Sequence, residues 1–179
     1  MTHEFPLVLA AAFYFVAFLL LWGFIRKRSV SWRNTSFVFA AAGVLLHAGA
    51  QYNHWFGQAV PDVSLPHLLS LCALVVMVLL LTSTFSRPAL YAAGLVALPI
   101  ATGILLLEWV LPHGGYSLGE ATPGIAVHVI SSVLAFGLSG FAGGYALWGC
   151  GIGPVLRRPR LCPLVRSVPP VGVVEVLLF

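Results

Sequence analysis

Between Phe5 and Leu147 the chain repeats one pattern, an apolar run of membrane-spanning length followed by a short polar break. A helix needs roughly twenty apolar residues to cross a bilayer, and within it every backbone N–H and C=O must be paired internally. Five runs meet that length: Phe5 to Ile25, Ser36 to Trp55, Pro66 to Phe85, Ala89 to Leu111 and Gly119 to Leu147. Only 8% of the residues are charged and 60% are hydrophobic, whereas a soluble domain carries about 25% charge. The pattern predicts an all-α fold, a polytopic transmembrane helix bundle of five spans plus a partial C-terminal apolar segment, Val171 to Phe179. On this reading residues 1–148 are the transmembrane domain. Residues 149–179 are a basic cytoplasmic loop and the truncated start of a further span.

The basic residues orient the bundle. Nine Lys and Arg against five acids give a net charge of +4, which in a soluble chain would suggest nucleic acid. Here they fall at Arg26, Lys27, Arg28 and Arg33, at Arg87, and at Arg157, Arg158, Arg160 and Arg166, between alternate spans. Positive loops are cytoplasmic loops, so a multi-pass protein of the bacterial inner (plasma) membrane with its N-terminus outside is expected. The lipid bilayer is then the partner, not nucleic acid. The first run has no basic residue before it and three directly after it, the reverse of a cleavable signal peptide. Its aromatic residues, Phe13, Tyr14, Phe15, Phe18, Trp22 and Phe24, are expected to contact lipid and anchor the interface.

Against this apolar background the six histidines stand out, all of them outside or in the outer half of a span. His47 and His54 share a face with Ala40, Gly43 and Ala50 on the second run. His128 lies a turn and a half inside the fifth, whose start is marked by Glu120, Thr122 as cap and Pro123 at the first helical position. Ser132, Ala135, Ser139 and Gly143 extend the face of His128 as a stripe of small side chains suited to close approach. An ionisable residue at such depth is a functional candidate by default. Neutral imidazole is the ligating form, and two imidazoles facing each other across a bundle can hold a haem iron axially. The competing reading is that each histidine bonds a carbonyl or serine on a neighbouring helix and fixes packing. His3, His54, His67 and His113 are expected to be solvated at the membrane boundary, with His54 and His67 as secondary candidates for ligation. Glu108, Trp109, Tyr145 and Trp148 are expected at the interfaces. The three cysteines form no CxxC or CxxCH motif, which excludes a dithiol carrier and a c-type cytochrome. No HExxH, P-loop, nucleophile elbow or dinucleotide fingerprint occurs, so there is no catalytic residue to name and an assembly factor is favoured over an enzyme.

The segment LLHAGAQ around His47, the run SLPHLLSLCALVVMVLLL, and above all EATPGIAVHVISSVLAFGLSGFAGGYAL with His128 resemble the cytochrome c assembly protein family, in its CcsA- and HemX-like (YpjD) branch. The likeness covers nearly all of Phe5 to Leu147. It implies a haem-binding membrane protein that takes part in cytochrome c biogenesis, handing haem b to an apocytochrome c or another maturation protein on the outer face. His47 and His128 are the implied haem-iron ligands. The tryptophan-rich external motif of the haem-ligating synthetases is absent, and the five tryptophans are scattered at 22, 32, 55, 109 and 148. Two other classes remain open: a divalent-metal or small-solute transporter component using the outer histidines with Asp62, Glu108 and Glu120, and a purely structural membrane subunit.

Overall fold

A computed structural model describes residues 5–27, 29–56, 62–86, 88–111, 116–117 and 123–156. Among these the fold is all-helical apart from one minimal ladder. Helix α1 spans Phe5–Lys27, α2 Val30–Phe56, α3 Leu65–Ser86, α4 Gly94–Val110 and α5 Pro123–Leu156, with a 3-10 turn at Pro88–Ala93 leading into α4. Strands β1 (Asp62–Val63) and β2 (Tyr116–Ser117) pair antiparallel, Asp62 opposite Ser117, and so tie the α2–α3 connection to the α4–α5 connection.

Four segments are long and apolar enough to cross a membrane: Phe5–Lys27, Leu65–Phe85, Leu90–Val110 and Val127–Leu147. The protein is therefore a membrane-embedded helical bundle with four candidate spans, one fewer than expected. The difference lies in α2. Its 27 residues would reach about 40 Å at 1.5 Å per residue, but Arg33, Asn34 and Ser36 at one end and Gln51, Asn53 and His54 at the other dilute its apolar centre.

Lipid tails are as apolar as leucine, so these helices associate through van der Waals fit and shared hydrogen bonds. Helix α1 turns one face inward, with Leu7, Ala10, Ala11, Tyr14, Ala17 and Leu21 buried at spacings of three and four. The alanines let α2 and α4 approach it. Among the aromatic residues of α1 expected to contact lipid, Tyr14 is instead completely buried, while Phe15 and Trp22 are exposed. Helix α4 answers with Leu98, Ala101, Thr102, Leu105 and Glu108. At the opposite end from Glu108, Ser36 donates to the carbonyl of Ala17 at 2.6 Å and lies 3.0 Å from the hydroxyl of Tyr91, joining α1, α2 and the 3-10 turn.

Helix α5 is attached differently. It packs mainly on α3, and little of its apolar window is covered. The contact face is Val129, Val133, Gly137, Phe141 and Tyr145, at four-residue spacing. Gly137 is needed there, because a Cβ would lie 2.6 Å from Cγ1 of Val75 on α3. Tyr145, expected at an interface, is half-buried and donates to the carbonyl of Leu90 at 3.3 Å. Helix α5 also runs on to Leu156, through Trp148 and Gly149, where a loop without helical pattern is expected from the sequence. The basic segment 157–179, including Cys162, lies outside the described residues.

Candidate functional site: a buried polar cluster across four helices

The expected face of α2 forms, with one change. Ser36, Ala40, Gly43, His47 and Gln51 are buried, and the row continues through Gln51 in place of Ala50. His47 is completely buried. Its Nδ1 lies 3.3 Å from the hydroxyl of Tyr14 on α1, and its Nε2 lies 2.8 Å from the hydroxyl of Ser70 on α3. Both hydroxyls can donate or accept, so either tautomer of a neutral ring satisfies both bonds. Each ring nitrogen is thereby engaged, and an iron at His47 would have to displace Tyr14 or Ser70.

Gly43 makes this contact possible. A Cβ at position 43 would sit 2.7 Å from two carbons of the Tyr14 ring, so only glycine lets the phenol reach one turn further along α2 to His47. The two rings meet edge to face, centroids 6.0 Å apart at 72°.

From Ser70 the cluster continues toward the end of α4. The side-chain amide of Gln51 donates to Ser70 Oγ at 2.9 Å and to Glu108 Oε1 at 3.4 Å. Glu108 Oε1 also meets His67 Nδ1 at 2.5 Å. The rings of His67 and His54 touch, centroids 3.7 Å apart at 63°. Tyr14, His47, Gln51, Ser70, Glu108 and His67 thus form one connected set drawn from α1, α2, α3 and α4. One expectation is corrected here, for His67 is buried rather than solvated. Glu108 is enclosed as well, at 2% exposed. Glu108 lies where α3 packs on α4, with Gln51 reaching it from α2 and His67 from α3.

His128 stands apart from this set. It is exposed on α5, and the small-residue stripe that shares its face is largely exposed as well. Two of the residues in that stripe, Ala135 and Ser139, contact no neighbouring helix closely enough to be buried; the approach to α3 is made by Gly137 instead. His3, His113, Glu120, Thr122 and the side chain of Asp62 lie outside the described residues.

Of the cluster members, Tyr14, Gln51 and Ser70 are not singled out by sequence reading. A signal existed for two of them: Gln51 is one turn beyond His47 on the same face, and Ser70 is one turn beyond His67. Tyr14 carried none, being one aromatic residue among several on α1.

The chemistry the cluster offers is that of an oriented imidazole. A carboxylate bonded to one ring nitrogen is the usual device for directing the other nitrogen of a metal-binding histidine, and Glu108 stands in that relation to His67. The fit to haem is partial. His54 and His67 touch ring to ring and cannot sandwich an iron as they stand. The apolar cavity of about 250 Å³ between α3, α4 and α5, walled by Ala73, Val76, Ala97, Ala101, Phe136 and Gly140, is lined by no histidine. Among the described residues no group of three or more His, Cys, Asp or Glu side chains is placed to hold a metal ion.

These features define a class, an all-helical membrane protein with a polar cluster buried at one end of its bundle. Comparison adds no narrower identity, for no protein-family model, curated protein or solved structure matches the chain.

Proposed function

We propose that this protein is a haem-handling membrane component of cytochrome c biogenesis, taking haem b at the end of the bundle that carries His54, His67 and Glu108. On this reading α2 is a fifth crossing, the N-terminus and the histidine end face the outside of a bacterial plasma membrane, and an apocytochrome c or another maturation protein receives the haem. The observation that carries the proposal is the buried pair Glu108–His67, in which a carboxylate on Nδ1 fixes the orientation of the imidazole. The resemblance of the His47 and His128 segments to the cytochrome c assembly family suggests the haem-handling class, and it implies His47 and His128 as the ligands.

The geometry favours a division of labour among the four histidines. His67 would hold the haem, with His54 beside it as the alternative. His47, bonded on both sides, holds α1, α2 and α3 together beneath them. His128 is exposed and available to haem arriving from the side of α5. When bound, haem would supply a redox-active iron whose ligation sets its spectrum and potential. The chain's own contribution is to orient an imidazole and to keep water from it.

The test is an absorption spectrum of the detergent-purified protein after haem reconstitution. A Soret shift lost in His67→Ala and retained in His47→Gln is expected. A spectrum of free haem in the unmodified protein, or a shift indifferent to all four histidines, overturns the reading.

A further inference from the structure

Around Glu108 several polar atoms are buried and, among the described residues, have no hydrogen-bond partner: Glu108 Oε2, Gln51 Oε1, Ser64 Oγ and Trp55 Nε1. Glu108, Gln51 and Ser64 are 2%, 4% and 8% exposed. An unpartnered buried polar group costs about 1–3 kcal/mol, and more when charged, so several at one place need an occupant. Bonds already described hold Gln51 and His67 at Glu108, and chain position brings Trp55 and Ser64 to the same end of the bundle. Gln51 touches Glu108 through its amide nitrogen. Trp55 is one turn beyond Gln51 on α2. Ser64 opens α3, its carbonyl accepting from the backbone of Leu68 at 3.1 Å, one turn before the His67 that binds Glu108.

We propose that these oxygens form a binding site for a small, hard monovalent cation of the sodium class, held by Glu108 Oε2, Gln51 Oε1 and Ser64 Oγ. The orientation of the Gln51 amide is set by its surroundings. Its nitrogen faces the Glu108 carboxylate and the Ser70 hydroxyl, and reversing it would bring two oxygens together. Gln51 Oε1 is therefore an acceptor in need of a positive partner. So is the second oxygen of Glu108, the first being taken by His67 and Gln51.

No lysine or arginine serves this end of the bundle among the described residues. Arg26 and Lys27 lie at the far end, over the rings of Trp22 and Trp32, and Arg33 meets its neighbour Asn34. His67 bonds one oxygen of Glu108 and brings a positive charge only when its ring is protonated; beside a neutral ring the carboxylate calls for a cation from solution. Oxygen-only ligation selects a hard ion. Among the described side chains one carboxylate, with no cluster of three His, Cys, Asp or Glu, selects one charge over two. The Trp55 N–H is a donor and no cation ligand; it suits a water completing the ion's shell. Such an ion would join α2, α3 and α4 and so stabilise their packing. The inference stands without the haem proposal, and its test uses haem-free protein.

The experiment is thermal unfolding of the full chain in phosphatidylcholine nanodiscs, in sodium chloride or choline chloride at equal ionic strength. Sodium should raise the midpoint along a saturable curve, and Glu108→Gln should abolish that rise. Ser64→Ala, a milder change, should move the half-saturating sodium concentration upward by about tenfold. Equal midpoints of the unmodified protein in sodium and choline would mean that ordered water alone fills the site, and would overturn the proposal. A sodium response unchanged in Glu108→Gln and in Ser64→Ala would overturn it too.

Discussion

His47 and His128 present the same signature in the sequence, a lone histidine on a small-residue face inside an apolar run, yet the fold treats them oppositely. His47 is enclosed by α1 and α3, with Tyr14 on one nitrogen and Ser70 on the other. His128 is exposed on a helix that touches the bundle along one narrow face. The difference teaches that a stripe of small residues permits close approach without choosing the partner. On α2 the stripe is occupied because Tyr14 has a ring to place over Gly43. On α5 another face, with Gly137 against Val75, wins the contact with α3.

The comparison predicts unequal mutational effects. The largest is expected for Glu108→Ala, which strips His67 and Gln51 of their shared acceptor. Breaking a buried pair from one side costs about 3–5 kcal/mol, read as loss of the folded fraction in a detergent denaturation series. A loss below about 1 kcal/mol would show that Glu108 is not enclosed. Gly43→Val comes next. Overpacking costs about 1–3 kcal/mol, and the displaced Tyr14 should surrender its bond to His47, seen as a change in tyrosine near-ultraviolet dichroism. An unaltered tyrosine signal in a folded variant would sink the account of Gly43. The smallest effect belongs to His128→Ala, expected within about 0.5 kcal/mol of the unmodified protein in the same denaturation series. A loss as large as that of Glu108→Ala would erase the distinction between the two regions and imply that α5 is covered on its His128 face.

Much of the architecture can be read without coordinates. The spans Phe5–Lys27, Leu65–Phe85 and Leu90–Val110 fall within a few residues of the apolar runs, because apolar length and internal backbone pairing are local properties. The buried row Ala40, Gly43 and His47 follows from helical periodicity alone. The differences between sequence and structure have local causes as well. Helix α2 is long but polar at both ends, so length and apolarity alone do not mark it as a crossing. Gly149 to Leu156 carries the glycines and the proline of a loop and still continues α5. Glu108 lies one turn from the end of its run, and its enclosure, with Gln51 and His67 against it, depends on which helices are neighbours.

The sequence by itself determined that this is a membrane-embedded, all-helical protein with its histidines gathered in particular runs and its basic residues between them. Hydropathy and periodicity are sums over neighbouring residues, and they need no knowledge of what lies across the bundle. Which side chains meet was decided by tertiary structure alone. Tyr14 reaches His47 from 33 positions away, and His67 reaches Glu108 from 41. Contacts over such separations depend on which helices are neighbours and how each is rotated about its axis. In a bilayer, close fit and shared hydrogen bonds set that rotation, since apolarity toward lipid does not distinguish one face from another.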